Sequence, residues 1–457
     1  MRERMKDRPI IRLLHLYVNR IWKLSVTKLP VFPGNRKKHR YYSSCAVRLN
    51  GTAVCQKENC VQEEKMYNPF TFYAPTKVFF GPETEKKAGE CIREFSGSSV
   101  LLLYGSKRIA ENGLLETVEK SVRAAGLKLV SMGGVVPNPH LSLVRKAIET
   151  GKEHKVDFIL AIGGGSVIDT AKAVAYGLAD ERDVWELYER KRQATACLPV
   201  GAILTIAAAG SEMSNSSVIT NELTQEKRSY NDDISRPRFA IMNPDLTTEL
   251  PDWQSMSGCA DMMMHTLERY LSNNGHMEVT DAISEGILRT IMKYARILHV
   301  HPEDKEARAE VMWASSLSHN NLTGCGNDGG DFSSHLLEHE LGGFYDVTHG
   351  AGLTAVWGSW ARYVVGHCLD RFVRLATNVM DIPLGEPEQT ALRGIEAMEA
   401  FFKEIGMPVS LHELGLNLTE QDIRMLASNC AKACGGKKGS ARVLMEEDMA
   451  EIYRMAR

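Results

Sequence analysis

From about residue 66 the apolar residues of this chain fall into two kinds of pattern. The first is short unbroken runs: residues 99–104 (SVLLLY), 127–132, 156–162 (VDFILAI) and 198–206. Runs of that length, each closed by glycine or a small polar turn, predict buried β-strands. Between them, residues 114–125, 141–155 and those from Val167 onward place apolar side chains at helical spacing. The loop Val135-Val136-Pro137-Asn138-Pro139 carries two prolines that break regular structure. Strands alternating with helices imply a parallel sheet with helices on both faces. Such folds bind ligands beyond the C-terminal ends of the strands.

After about Leu250 the strand signals stop. Residues 255–270, 280–298, 305–317, 353–365, 387–404, 419–433 and 445–455 all read as helices. The expected architecture is an α/β dinucleotide-binding domain over residues 66–248 and an all-helical, metal-binding domain over 249–457. Residues 1–65 stand apart. They hold fifteen Lys or Arg against five Asp or Glu and show no sustained period, although 10–26 mixes apolar and basic residues as a membrane-surface or transit helix does. They are expected to be an extension outside the enzyme fold.

Composition narrows the class. Of 457 residues, 44% are hydrophobic and 25% charged, which suits a globular protein with a substantial core. A net charge of −2 gives no reason to expect a nucleic acid, and no apolar stretch is long enough to cross a bilayer. The ten cysteines follow no zinc-ribbon or disulfide-framework spacing, so free thiols and a cytoplasmic setting are expected.

Two motifs carry chemistry. Gly163, Gly164, Gly165 and Ser166 lie between the 156–162 strand and the following helix. A glycine turn there exposes backbone N–H groups at a helix N-terminus and suits a pyrophosphate. The spacing is not G-x-G-x-x-G, and a tight connection without a ligand is the alternative. The second motif is a set of metal-ligand types: Asp261 and His265 in CADMMMHTLERY, and His335, His339 and His349 in SSHLLEHELGGFYDVTHG. Pairs four residues apart share a face if the segment is helical. One carboxylate with several imidazoles can hold Fe²⁺ or Zn²⁺. Ordinary helix-surface histidines are the alternative, and spacing does not choose between His335 and His339.

Eight segments, among them NPFTFYAPTKVFFG, VVPNPHLSLV, IGGGSVIDTAKA, AAAGSEMSNSSVIT, CADMMMHTLERY and HLLEHELGGFYDVTHGAGL, occur in one order from Met66 to the C-terminus. In these the chain resembles the iron-containing, or group III, alcohol dehydrogenases, and within them the butanol dehydrogenase branch of NAD(P)H-dependent aldehyde reductases. The resemblance implies that Asp261, His265, His335 and His349 are the metal ligands. It makes His339 a histidine near the nicotinamide and a proton relay. It places Gly163, Gly164, Gly165, Ser166 and Asp169 on the phosphate loop. Asn138, Thr205 and Lys227 would face the cofactor, and Gly105, Ser106 and Lys107 the adenosine ribose. A homodimer acting on a small aldehyde or alcohol is the family expectation.

The implied chemistry is hydride transfer from a reduced nicotinamide to a carbonyl polarised by the metal. NADP is favoured over NAD, because Tyr104-Gly105-Ser106-Lys107-Arg108 contains no acid to repel a 2′-phosphate and two cations to accept it. Fe²⁺ is favoured over Zn²⁺. The chain departs from the usual pattern at Ala209, where a Thr is common, at Gly105-Ser106-Lys107, and at Phe332, where a Trp is common. The rival readings are a dehydroquinate synthase-like lyase and a catalytically silent relative. Met262, Met263, Met264, Leu336, Leu337 and Phe344 near the ligands favour an uncharged substrate over the lyase's phosphorylated one.

Overall fold

The computed structural model describes residues 67–457. The extension of 1–65 lies outside the described residues.

The α/β part is built from β1 (Lys77–Phe80), α1 (Ala88–Glu94), β2 (Ser99–Tyr104), α2 (Leu114–Ala124), β3 (Lys128–Met132), α3 (Leu141–Glu153), β4 (Phe158–Gly163), α4 (Gly165–Leu178) and β5 (Val200–Leu204). A hairpin, β6 (Ser216–Asn221) and β7 (Glu226–Asn231), and then β8 (Phe239–Met242) complete it. Six strands form one parallel sheet in the order β1-β8-β5-β4-β2-β3. The central strands β2, β4 and β5 are almost wholly buried, which explains their unbroken apolar runs. The chain order reverses around β2. It runs outward to β3 and returns to β4 on β2's other side, so β2 and β4 flank the topological switch point. Register pairs Tyr104 with Ile162 and Gly163 with Leu204. The turns after β2, β4 and β5 therefore end side by side at one edge of the sheet.

The helical part comprises α5 (Asp252–Tyr270), α6 (Glu278–Val300), α7 (Lys305–His319), α8 (Ser333–Tyr345), α9 (His349–Val364), α10 (Leu369–Asn378), α11 (Pro387–Glu404), α12 (Glu420–Ala433) and α13 (Glu446–Ala456). α5 is buried along almost its whole length and packs against α6, α7 and α9. An all-round buried helix has no polar face to display a period, and that is the character of its CADMMMH segment.

Four strands and two of the longer helices were not legible in the sequence. β1 and β8 are only four residues long, too short for a period to show. β6 and β7 are a half-exposed polar hairpin (SSVITN and EKRSYN). α8 carries buried acids and histidines where an amphipathic pattern needs leucines, and α10 spans ten residues.

Candidate active site

A cleft of about 1500 Å³ runs from the C-terminal edge of the sheet to the N-terminal ends of α8 and α9. Gly105, Ser106, Gly163, Gly164, Gly165, Ser166, Asp169, Thr205, Asn138 and Lys227 all line it, as do Asp261, His265, His335, His339 and His349. Lys107 does not; it is exposed beside the cleft mouth.

At the sheet end, space dictates the glycines. A Cβ on Gly163 would come within 2.3 Å of Val167, and one on Gly164 within 2.9 Å of Ile206. Gly164 caps α4, whose first N–H groups are free to meet an anion. Thr205 N–H donates to Gly163 O at 3.0 Å and locks the two turns together. Asp169 faces inward one turn later and accepts from Ser211 Oγ at 2.5 Å and Val218 N–H at 2.9 Å; burial raises its pKa. Asn138 adopts a positive φ of 50° and donates its amide to Asp346 Oδ1 at 2.8 Å. That contact ties the proline loop to the turn before α9. Arg108 is not free: its guanidinium contacts the Glu249 carboxylate at 3.1 Å and donates to Glu249 O at 2.6 Å.

At the helical end, the one-turn spacing brings Asp261 and His265 together on α5, while His335 and His339 share α8 and His349 opens α9. Three imidazoles converge on Asp261 Oδ1: His265 Nδ1 at 3.1 Å, His349 Nε2 at 3.7 Å and His335 Nε2 at 3.8 Å. Asp261 Oδ1 and His335 Nε2 are both sealed from solvent without a hydrogen-bond partner. Two such orphans facing each other cost stability unless a cation sits between them. The donor set, one carboxylate and neutral imidazoles, is that of a divalent transition-metal site, so the residues fit the metal.

The charges agree. Burial works to raise Asp261, yet His265 and His349 beside it hold its carboxyl well below the usual range. Burial pushes His265 down to about 4. Burial also opposes charge on His335, but Glu268 and Asp261 on either side push its pKa up to about 9.

Glu268 and Glu338 escaped the sequence reading. Each is fully buried and takes the far side of a cluster histidine: Glu268 accepts from His335 Nδ1, and Glu338 from His349 Nδ1. Lys227 Nζ lies 3.1 Å from Glu338 and 3.4 Å from His349 Nδ1, behind the cluster. Carboxylates in this position orient a ligating imidazole and leave its other nitrogen available. The available signal was an acid three residues after a histidine in an apolar segment, as in HTLE and HLLE. His339 has no protein partner among the described residues, and burial together with Lys227 holds its pKa well below the ordinary range. His319 and Arg269, also on the cleft wall, were missed as well.

One expectation is corrected. Met262, Met263 and Met264 are core residues without exposure, as is Leu337, and Phe344 does not reach the cleft; of the six apolar residues, Leu336 alone lines it. The apolar bias of that segment reports packing of α5 and α8, not the substrate.

Among the described residues no helix is long and apolar enough to cross a membrane, and the seven cysteines are free thiols.

Comparison with known proteins agrees with this geometry. Residues 75–244 match the family model for iron-containing alcohol dehydrogenase, and 255–457 match the model for the C-terminal part of the same family. The chain is 38% identical over 387 residues to NADH-dependent butanol dehydrogenase A of Clostridium acetobutylicum, covering 84% of this chain and 98% of that one. It is 30% identical to the NADPH-dependent aldehyde reductase YqhD of Escherichia coli, over 77% of this chain and 90% of that one. The crystal structure of NADH-dependent butanol dehydrogenase A from Thermotoga maritima superposes with a TM-score of 0.83 at 38% identity, covering 86% of this chain and 99% of that one. With both halves matched and the buried Asp-His cluster in place on the helical half, this chain belongs to the iron-containing alcohol dehydrogenase family.

Proposed function

We propose that the chain is a metal-dependent, NAD(P)H-linked alcohol dehydrogenase and aldehyde reductase acting on short-chain aldehydes such as butyraldehyde. The observation that carries this is the unpartnered Asp261 Oδ1 and His335 Nε2 at one end of a cleft whose other end is the Gly163–Gly165 turn. Asp261, His265, His335 and His349 would hold the metal, with Fe²⁺ favoured over Zn²⁺. When bound, the metal polarises a carbonyl oxygen and the reduced nicotinamide supplies the hydride.

The protein's own part is placement and proton handling. The glycine turn and the start of α4 receive the pyrophosphate, and Gly105 and Ser106 flank the ribose. Thr205 and Asn138 line the run between them and the cluster. Glu268 and Glu338 fix the His335 and His349 rings. His339, held neutral, relays a proton to the product oxygen through water.

Of the five cations on the cleft wall, three are already engaged, Lys227 by Glu338, Arg108 by Glu249 and Arg269 by backbone carbonyls, while Arg190 and Lys438 form no ion pair among the described residues. The reading extends to a homodimer, a cytoplasmic setting, and a division of the fold at residues 248 and 249. The test is NADPH and NADH oxidation with butyraldehyde by protein reconstituted anaerobically with Fe²⁺ or Zn²⁺. Metal-dependent turnover is expected; no turnover with metal bound would sink the reading. Sedimentation and cell fractionation test the dimer and the compartment.

A further inference from the structure

Arg269 lies at the end of α5, one turn beyond His265, and is only 5% exposed. Its Nη1 donates to His265 O at 2.8 Å and Ser318 O at 3.1 Å. Its Nη2 donates to His319 Nδ1 at 3.2 Å and Asn321 Oδ1 at 3.4 Å. The guanidinium is also packed 4.9 Å from the Phe332 ring centroid. A guanidinium only donates, so both partners must accept. That fixes their other ends. His319 carries its hydrogen on Nε2, and Asn321 turns its NH₂ group away from Arg269. Neither of these donors has a protein partner among the described residues, neither is sealed off, and both residues line the cleft. The His319 ring lies 3.8 Å, centroid to centroid, from that of His265. His319 therefore adjoins the metal-ligand cluster, and both donors open onto the same cleft.

We propose that His319 and Asn321, set by Arg269, form a specificity clamp for a second oxygen on the substrate. The enzyme then prefers aldehydes that carry a hydroxyl or other acceptor oxygen near the carbonyl over plain alkyl aldehydes. A methyl group placed there would leave two oriented donors without a partner, and sites built to hydrogen-bond a substrate oxygen discriminate strongly against analogues lacking it. The methionines of α5 face the core and do not line the cleft. The inference rests on the reductase reading above and deepens it.

The test compares 3-hydroxypropanal with butanal, which replaces the hydroxyl by a methyl group, on the metal-loaded full-length enzyme. A kcat/KM ratio favouring the hydroxyaldehyde by about tenfold or more is expected. His319→Leu should bring that ratio close to one, while His319→Gln, which can still donate, should keep most of it. Asn321→Gly removes the amide at a residue whose φ is 76°, a conformation glycine adopts without strain, and should lower the ratio by several-fold. An equilibrium readout accompanies this. Calorimetry on the complex with reduced cofactor should show 1,3-propanediol binding more tightly than 1-butanol, and His319→Leu should erase the difference. Metal content is measured for each variant, and if His319→Leu loses metal, Asn321→Gly decides. Turnover of both aldehydes at equal kcat/KM, or a preference untouched by the variants, overturns the clamp and leaves the reductase reading standing. No turnover of either aldehyde removes the reading on which the clamp rests.

Discussion

Glu268 accepts a hydrogen bond from Nδ1 of His335, and both side chains are buried between α5 and α8. The second Glu268 oxygen accepts from Ser334 N–H at 2.7 Å. The carboxylate thus fixes the start of α8 and the ring orientation of one cluster histidine together. Glu268→Gln keeps an acceptor for Ser334 but presents an NH₂ group to His335 Nδ1. The imidazole must then change tautomer or turn away. Metal affinity should fall by about 10–100-fold. Titration against a competing chelator measures this, and unchanged affinity would show that Glu268 does not orient the ligand.

His349 is a different case, since it meets Asp261 from a third helix. His349→Ala should lose both metal and activity, with kcat/KM down by about 10³-fold or more. Its partner Glu338 would keep Lys227, so the fold should survive. Metal analysis alongside the assay checks the assignment, which fails if the variant retains metal and normal turnover.

Cofactor choice turns on Arg108. The sequence offers it as a phosphate ligand, but the structure pairs it with Glu249. That pair is exposed on both sides and is worth at most about 1 kcal/mol. Glu249→Ala removes the carboxylate but keeps the bond to the residue 249 carbonyl, so it should loosen the guanidinium and raise the NADPH-to-NADH ratio of kcat/KM by no more than about fivefold. A ratio that falls instead would mean that Glu249 does not compete with the 2′-phosphate.

The parts of this molecule legible in the sequence are those where one physical demand dominates. β2 and β4 are buried on both faces and read as apolar runs. The Gly163–Gly165 turn has no room for side chains and reads as glycine. Asp261 and His265, four residues apart on a buried helix, read as a ligand pair. Residues that act through others were not legible. Glu268, Glu338 and Arg269 look like ordinary charges until α5, α8 and the loop after α7 are brought together. The reverse error came from Met262, Met263 and Met264, whose apolar character belongs to the core. Proximity in sequence to a ligand did not put them beside the substrate.

Glu340 gives the last prediction, away from the cluster. It follows His339 on α8 but points to Arg228 on β7, whose Nη1 is 3.1 Å from its carboxylate. Burial pushes the Glu340 pKa up to about 7, and Arg228 only partly opposes this. In the unfolded chain the same carboxyl ionises near the ordinary glutamate value of 4.5. Between those two values the folded state holds a proton that the unfolded state has lost. Glu340 therefore contributes stability that is fully present below pH 4.5 and is lost as pH rises through about 7. The shift corresponds to a loss on the order of 3 kcal/mol across that window. Glu340→Gln keeps the volume and removes the titration. Its unfolding free energy, measured in denaturant from pH 5 to 8, should fall less with pH than that of the wild type. Parallel profiles for the two proteins would show that Arg228 keeps Glu340 ionised in the folded protein throughout.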